Sequence, residues 1–233
     1  MTADSPEGEF SRRKELKLLY ILIALAVFAA SSLAQTILFE DDFEGSIRSE
    51  WVNYAEGFTV TTINAQHGSY AVTTSIQDRY LRYDIGVPMQ NLTLEGWFFD
   101  TLSANPYETT LEASASTSSG FAVGIDTFFN QSRYVYRLGA FNWISTNIMR
   151  SNGWHIGQIY RGAGALSILI DGVEVYQETG GNDSMRFVSL ATNGAAGQNP
   201  PSPYYLDNVK IYEGAPVPEP ATICIFGLGL AVI

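Results

Sequence analysis

Between Gln35 and Glu213 the chain consists of short runs in which apolar, β-branched and aromatic residues alternate with polar ones, separated by Gly, Asn, Asp and Pro. A period of two places alternate side chains on opposite faces of a strand, and this region shows no sustained i, i+3, i+4 stripe of the kind an amphipathic helix needs. The sharpest instance is Leu166-Ser167-Ile168-Leu169-Ile170, then Asp171-Gly172, then Val173-Glu174-Val175-Tyr176. Asp-Gly supplies the positive φ angles of a two-residue turn, so this segment reads as a hairpin. Further strands are expected at 36–43, 71–74, 80–84, 92–100, 109–113, 121–126, 133–138, 156–160, 187–191 and 204–212. So many strands exceed what a small barrel needs and suit two packed sheets. The fold class is therefore all-β, a two-sheet antiparallel sandwich.

The two ends of the chain do not follow this pattern. Ser11-Arg12-Arg13-Lys14 leads into the 13-residue apolar run 18–30 and then Ser32-Leu33-Ala34, small residues of the kind a signal peptidase reads. Residues 1–34 are expected to be a signal peptide with a helical apolar stretch, cleaved after Ala34; the run is short for a membrane span. Ser-Arg-Arg-x-x-Leu-Lys also resembles a twin-arginine signal, with Glu15 where that family prefers an aromatic, and both export routes stay open. At the other end, Val217-Pro218-Glu219-Pro220-Ala221-Thr222 runs into an apolar stretch from Ile223 onward. This resembles the PEP-CTERM sorting signal of Gram-negative bacteria. The resemblance implies export to the cell surface or extracellular matrix, transient membrane contact through the terminal segments, and recognition by an exosortase-type membrane protease. In that family a spanning helix and a basic tail follow the motif. Here the apolar run 221–233 has 13 residues, about 20 Å as a helix against a bilayer core of roughly 30 Å. The sorting segment 214–233 is therefore expected to be truncated.

Residues 35–213, 179 in all, suit one domain with a sizeable core. From Gln35 onward there are 9 Lys and Arg against 20 Asp and Glu, an acidic balance that gives no purchase on phosphate backbones and argues against nucleic acid as a partner. Cys224, the single cysteine, lies in the C-terminal apolar run, so the domain has no disulfide and no thiolate chemistry. His67 and His155 are its only imidazoles, too few for a zinc site of the usual kind.

The order of segments resembles the concanavalin A-like lectin and glucanase superfamily, and more closely its laminin-G-like branch. Asp41-Asp42-Phe43-Glu44-Gly45 looks like the opening strand, Leu94-Glu95-Gly96-Trp97-Phe98-Phe99 like an early sheet strand, Gly153-Trp154-His155 with Leu169-Ile170-Asp171-Gly172 like the central hairpin, and Tyr205-Leu206-Asp207-Asn208-Val209-Lys210-Ile211 like the closing strand. The resemblance implies a jelly roll with the first and last strands adjacent and a structural Ca2+ between them. Gly45 would offer a carbonyl and Asp207 a carboxylate, with Asp42 as a helper, since calcium takes six to eight oxygen ligands. The alternative is that Asp207 satisfies local backbone groups.

Glu40, Asp42 and Glu44 would share one face of a strand. These letters match the Glu-x-Asp-x-Glu signature of laminarinase-type glucanases, which would make a retaining hydrolase. Their position, just after the expected mature N-terminus, argues instead for solvated or ion-binding carboxylates. Trp143 beside Asn142 is the candidate saccharide platform, because sugar C–H faces stack on aromatic planes while amides bind hydroxyls. No Gly-x-Ser-x-Gly elbow, His-Glu-x-x-His or phosphate-binding glycine loop is present. The sequence thus points to a non-catalytic exported protein that binds an extracellular polysaccharide or matrix component. The alternatives are a structural adhesion protein without a glycan ligand and, last, a glucanase using Glu40 and Glu44.

Overall fold

A computed structural model describes residues 35–74, 79–103, 107–116, 120–140, 142–162, 164–180, 184–193 and 204–216. The expected signal helix and cleavage at Ala34, the sorting residues Val217, Pro218, Glu219 and Pro220, Cys224, Phe141, and the segments 181–183 and 197–203 lie outside the described residues.

The described residues form β1 (Ile37–Asp41), β2 (Val52–Asn53), β3 (Thr59–Thr61), β4 (Ala71–Thr74), β5 (Arg79–Met89), β6 (Leu92–Asp100), β7 (Glu108–Ser114), β8 (Phe121–Asp126), β9 (Arg133–Leu138), β10 (Asn142–Met149), β11 (Gly153–Gly162), β12 (Ala165–Ile170), β13 (Val173–Thr179), β14 (Met185–Asn193) and β15 (Tyr204–Glu213), with a short 3-10 turn at Tyr54–Glu56. The Asp-Gly hairpin forms as expected. Ile170 pairs with Val173 across the turn, and Asp171 and Gly172 take φ of 51° and 74°, the signs a type I′ turn requires. One sheet runs β13-β12-β11-β6-β15-β4-β3 with β1 also on β15, and the other runs β10-β9-β8-β7-β14-β5-β2. Every pairing is antiparallel.

Two sheets of alternating strands bury their apolar faces against each other. Leu94, Phe98, Ile159, Ile168, Leu206 and Val209 come from the first sheet, and Leu81, Leu111, Val123, Ile125, Val188 and Leu190 from the second. A specific fit sits at the centre. Gly157 and Gly96 are paired across β11 and β6. A Cβ on either would come within 3.0 Å of the Leu111 side chain, so the two glycines leave the space that Leu111 of the opposite sheet fills.

Where the strands depart from the sequence reading, the reason is local. β10, absent from the expected strands, is a full edge strand paired to β9. β5 continues through Gly86 and Pro88, residues that usually end strands. Its register with β14 slips between Phe187 and Met185, and β2 covers its other side only at Leu81 and Arg82. Along that open edge the missing proline N–H costs little.

Candidate functional site

The opening segment does not carry a row of carboxylates. β1 stops at Asp41, and Phe43 takes a left-handed φ of 54°, which breaks the period-two alternation. Buried Asp41 holds this turn by accepting the backbone N–H of Phe43 at 2.9 Å, that of Arg48 at 3.4 Å and the Trp51 indole N–H at 2.7 Å. Glu40 pairs with Lys210 at 3.0 Å. Glu44 accepts the N–H groups of Ser69 at 2.7 Å and Tyr70 at 2.9 Å. The expectation of an aligned Glu40, Asp42 and Glu44 is thus corrected: one carboxylate makes an ion pair, one is exposed, and one anchors a loop.

The first and last strands are neighbours, as the resemblance implied. Asp207, fully buried on β15, accepts N–H groups from Gln66 at 2.8 Å, His67 at 3.3 Å and Asn208 at 2.7 Å. Burial raises its pKa, and these three donors oppose the rise. Asp42 is exposed and accepts the Glu44 N–H at 3.2 Å, and Gly45 takes a φ of 98°. Among the described residues, no group of three or more His, Cys, Asp or Glu side chains is arranged to hold a metal.

A different set of residues converges on the outer face of the second sheet. Cross-strand partners point to the same face, and the pairings define a row that runs Arg82, Ser189, Glu112, Ala122, Arg137, Trp143 across β5, β14, β7, β8, β9 and β10. The next row is Tyr80, Ala191, Thr110, Gly124, Val135. Alternation on β7 brings Glu108 to this face as well, while Leu111 enters the core. Small side chains in the second row leave room above the strands. Gly124 is required there: its φ is 149° and a Cβ would lie 2.2 Å from the Thr109 carbonyl oxygen. The result is a hollow of about 280 Å³ lined by Arg79, Tyr80, Arg82, Glu108, Glu112 and Arg137, with Ala191 and Thr192.

Electrostatics divide the two glutamates. Arg137 donates to Glu112 at 2.8 Å. Glu108 is 5% exposed and accepts the Thr110 hydroxyl at 3.3 Å. Burial first, then the charges of Glu112 and Asp126, raise its pKa to about 8, with Arg137 pulling the other way. At neutral pH Glu108 therefore holds its proton, while Glu112 is paired to the Arg137 guanidinium. Aromatic groups flank them. Tyr54 and Tyr80 pack at 4.0 Å between ring centroids, and the Arg137 guanidinium lies 5.0 Å from the Trp143 ring centre. The structure brings Trp143 to this face. Asn142, the residue before it on the same strand, points the other way and is exposed, so the expected pair does not form one platform.

Glu108 and Glu112 escaped the sequence reading. The signal was Glu108-x-Thr110-x-Glu112, carboxylates at i and i+4 of a period-two run, but Glu108 lay outside the expected strand 109–113 and the letters at 40–44 matched a known signature more fully.

By sequence, residues 216–233 match the PEP-CTERM protein-sorting motif. A search of curated proteins finds no match. Among solved structures, the chain is similar to the apo Crh5 transglycosylase (12% identity, 78% of this chain and 88% of that one, TM-score 0.55). It is also similar to SCLam, a non-specific endo-β-1,3(4)-glucanase of family GH16 (11%, 78% and 92%, TM-score 0.54). A third is the Bacteroides ovatus mixed-linkage glucan GH16 protein in complex with a product (12%, 75% and 100%, TM-score 0.51). The fold is a concanavalin A-like jelly roll.

At these identities the likeness concerns the fold. It still corrects one expectation. The non-catalytic expectation rested on the position of the carboxylates at 40–44, just after the expected mature N-terminus, yet the neighbours named above are glycoside hydrolases and a transglycosylase, so catalysis is not excluded by the architecture. The sorting motif marks the protein as exported to the cell envelope.

Proposed function

We propose that this exported domain acts on a polysaccharide at the cell surface of a Gram-negative bacterium, or in its surrounding matrix, with the glycosidic bond placed over Glu108 and Glu112. The observation that carries the reading is this pair of glutamates on one strand face, one buried with its pKa raised, the other ion-paired, in a hollow lined by Tyr80 and Arg137, with Trp143 against the Arg137 guanidinium.

Two carboxylates of opposite protonation are the equipment of glycosyl transfer. Glu108 would give its proton to the leaving glycosidic oxygen as the bond from the anomeric carbon to that oxygen breaks. Glu112, held by Arg137, would form the new bond to the anomeric carbon. Glu108, now a carboxylate, would take a proton from water or from a sugar hydroxyl, whose oxygen displaces Glu112. Water gives hydrolysis and a sugar hydroxyl gives transglycosylation. Trp143 would stack on a sugar ring beside the cleavage point. An exosortase-type protease would read the motif at Pro218, Glu219 and Pro220.

The test is product-length analysis of soluble β-glucans and acidic polysaccharides incubated with the full chain and with its Glu112→Gln variant. Loss of a positioned proton-transfer group or nucleophile lowers turnover by roughly 10²–10⁴-fold, so the variant is expected to be nearly inert. Turnover unchanged in Glu112→Gln would remove this pair from the chemistry.

A further inference from the structure

Beyond the reading above, and resting on it, we infer that the polysaccharide taken by the hollow is acidic, its sugars carrying carboxylates that Arg82 and Arg137 recognise.

The distribution of charge carries the argument. From Gln35 onward the chain has 9 basic and 20 acidic residues, yet three of those nine, Arg79, Arg82 and Arg137, line one hollow with only two carboxylates. Burial keeps a proton on one of the two, Glu108. The hollow thus gathers guanidinium groups within an anionic protein, and an acidic polymer is drawn here in preference to the rest of the surface. A neutral glucan does not require this concentration of cations, since its hydroxyls are also held by amides and carboxylates, whereas a carboxylate is matched by the guanidinium fork.

The state of each guanidinium agrees. Arg82 lies over Tyr80 with 4.6 Å from its central carbon to the ring centre, and within 6 Å of the Tyr54 and Phe187 rings. Its Nε donates to the Ser189 hydroxyl at 3.3 Å. Among the described residues it makes no ion pair with a carboxylate, unlike Arg48, Arg137, Arg150 and Arg186. Stacking fixes the plane of the fork and leaves its edge for a planar oxyanion, the geometry a carboxylate matches with two parallel hydrogen bonds. Arg137 reaches Glu112 through one terminal nitrogen, and its buried Nε has no partner among the described residues. Arg82 and Arg137 stand in the same cross-sheet row, on either side of Glu112. A chain bound along that row would place acidic groups on both sides of the scissile bond.

Calorimetric titration of the full chain carrying Glu112→Gln, which leaves the polymer intact, with polygalacturonate oligosaccharides, their carboxyl-reduced counterparts, a mixed-linkage β-glucan oligosaccharide and a sulfated dextran oligosaccharide tests the inference. The acidic oligosaccharide is expected to bind at least tenfold tighter than its reduced form. Adding Arg82→Gln should remove that difference and Arg82→Lys should keep part of it, while a far-ultraviolet spectrum unchanged in both shows that the sheet is intact. Equal binding of the acidic and reduced forms, or no response to Arg82→Gln, overturns the inference and leaves a groove for neutral sugars. Sulfated dextran bound as tightly as polygalacturonate, with both insensitive to Arg82→Gln, also overturns it, as general attraction of polyanions. No saccharide bound by this chain and no turnover by the unsubstituted one would instead remove the underlying reading.

Discussion

Burial of Glu108 carries a pH-dependent cost in stability. An exposed glutamate titrates near 4.5, whereas burial holds this one at about 8. Below pH 4.5 both folded and unfolded chains keep the proton and nothing is lost. Between 4.5 and 8 the unfolded chain ionises first, so stability falls as the pH rises through that window. Glu108→Gln keeps the shape and removes the titration. It is expected to melt higher than the parent at pH 8, to match it at pH 4, and to show no glycosyl transfer; a parent-like pH slope in the variant's thermal unfolding would contradict the assignment. His155 contributes a second pH-dependent effect of the same sign. Burial opposes its charge, but Asp171 at 2.7 Å and the Ser151 carbonyl outweigh that, and its pKa is raised. Its contribution is complete below the ordinary imidazole value of 6.5 and is lost as the pH rises through the raised one. Asp171→Asn should therefore lower the melting temperature at pH 5.5 more than at pH 8.5.

At the scale of elements, the contact between the sheets depends on the Leu111 knob and the Gly96 and Gly157 space that receives it. Leu111→Ala should cost about 2–5 kcal/mol, the range for a buried leucine whose cavity cannot collapse, read from chemical denaturation. Because Leu111 shares β7 with both glutamates, the same change should also lower turnover. Much at this scale was legible in the sequence. Strands β4, β6, β8 and β9 fall on the expected spans, each a short run rich in β-branched or aromatic residues. β2 and β3 are too short to show a period. β10 is an edge strand whose alternation is blurred by exposed residues. The site was less legible than the fold, since Arg82, the Glu108 and Glu112 pair, and Arg137 lie far apart in sequence and only the antiparallel registers of β5, β14, β7, β8 and β9 bring them together.

For the whole domain, closure depends on how its first and last strands are tied to the chain between them. β1 pairs with β15, and two carboxylates, Asp207 on β15 and Glu44 just after β1, take four N–H groups of the 66–70 segment. Gly68 sits between these contacts with a φ of 68°, and a Cβ there would lie 2.3 Å from a Glu44 carboxylate oxygen. Three backbone N–H groups, of Gln66, His67 and Asn208, satisfy the buried Asp207 carboxylate. Asp207→Ala would strand those donors, and a buried donor left unpaired costs about 1–3 kcal/mol. For a domain of this size that is a fall in melting temperature of about 2–12 °C. If backbone N–H groups are its main partners, the fall should be the same in calcium and in excess chelator. A calcium-dependent rise in the parent that vanishes in Asp207→Ala would instead place an ion at Asp207, with Asp42 and the Gly45 carbonyl as the ligands to substitute next.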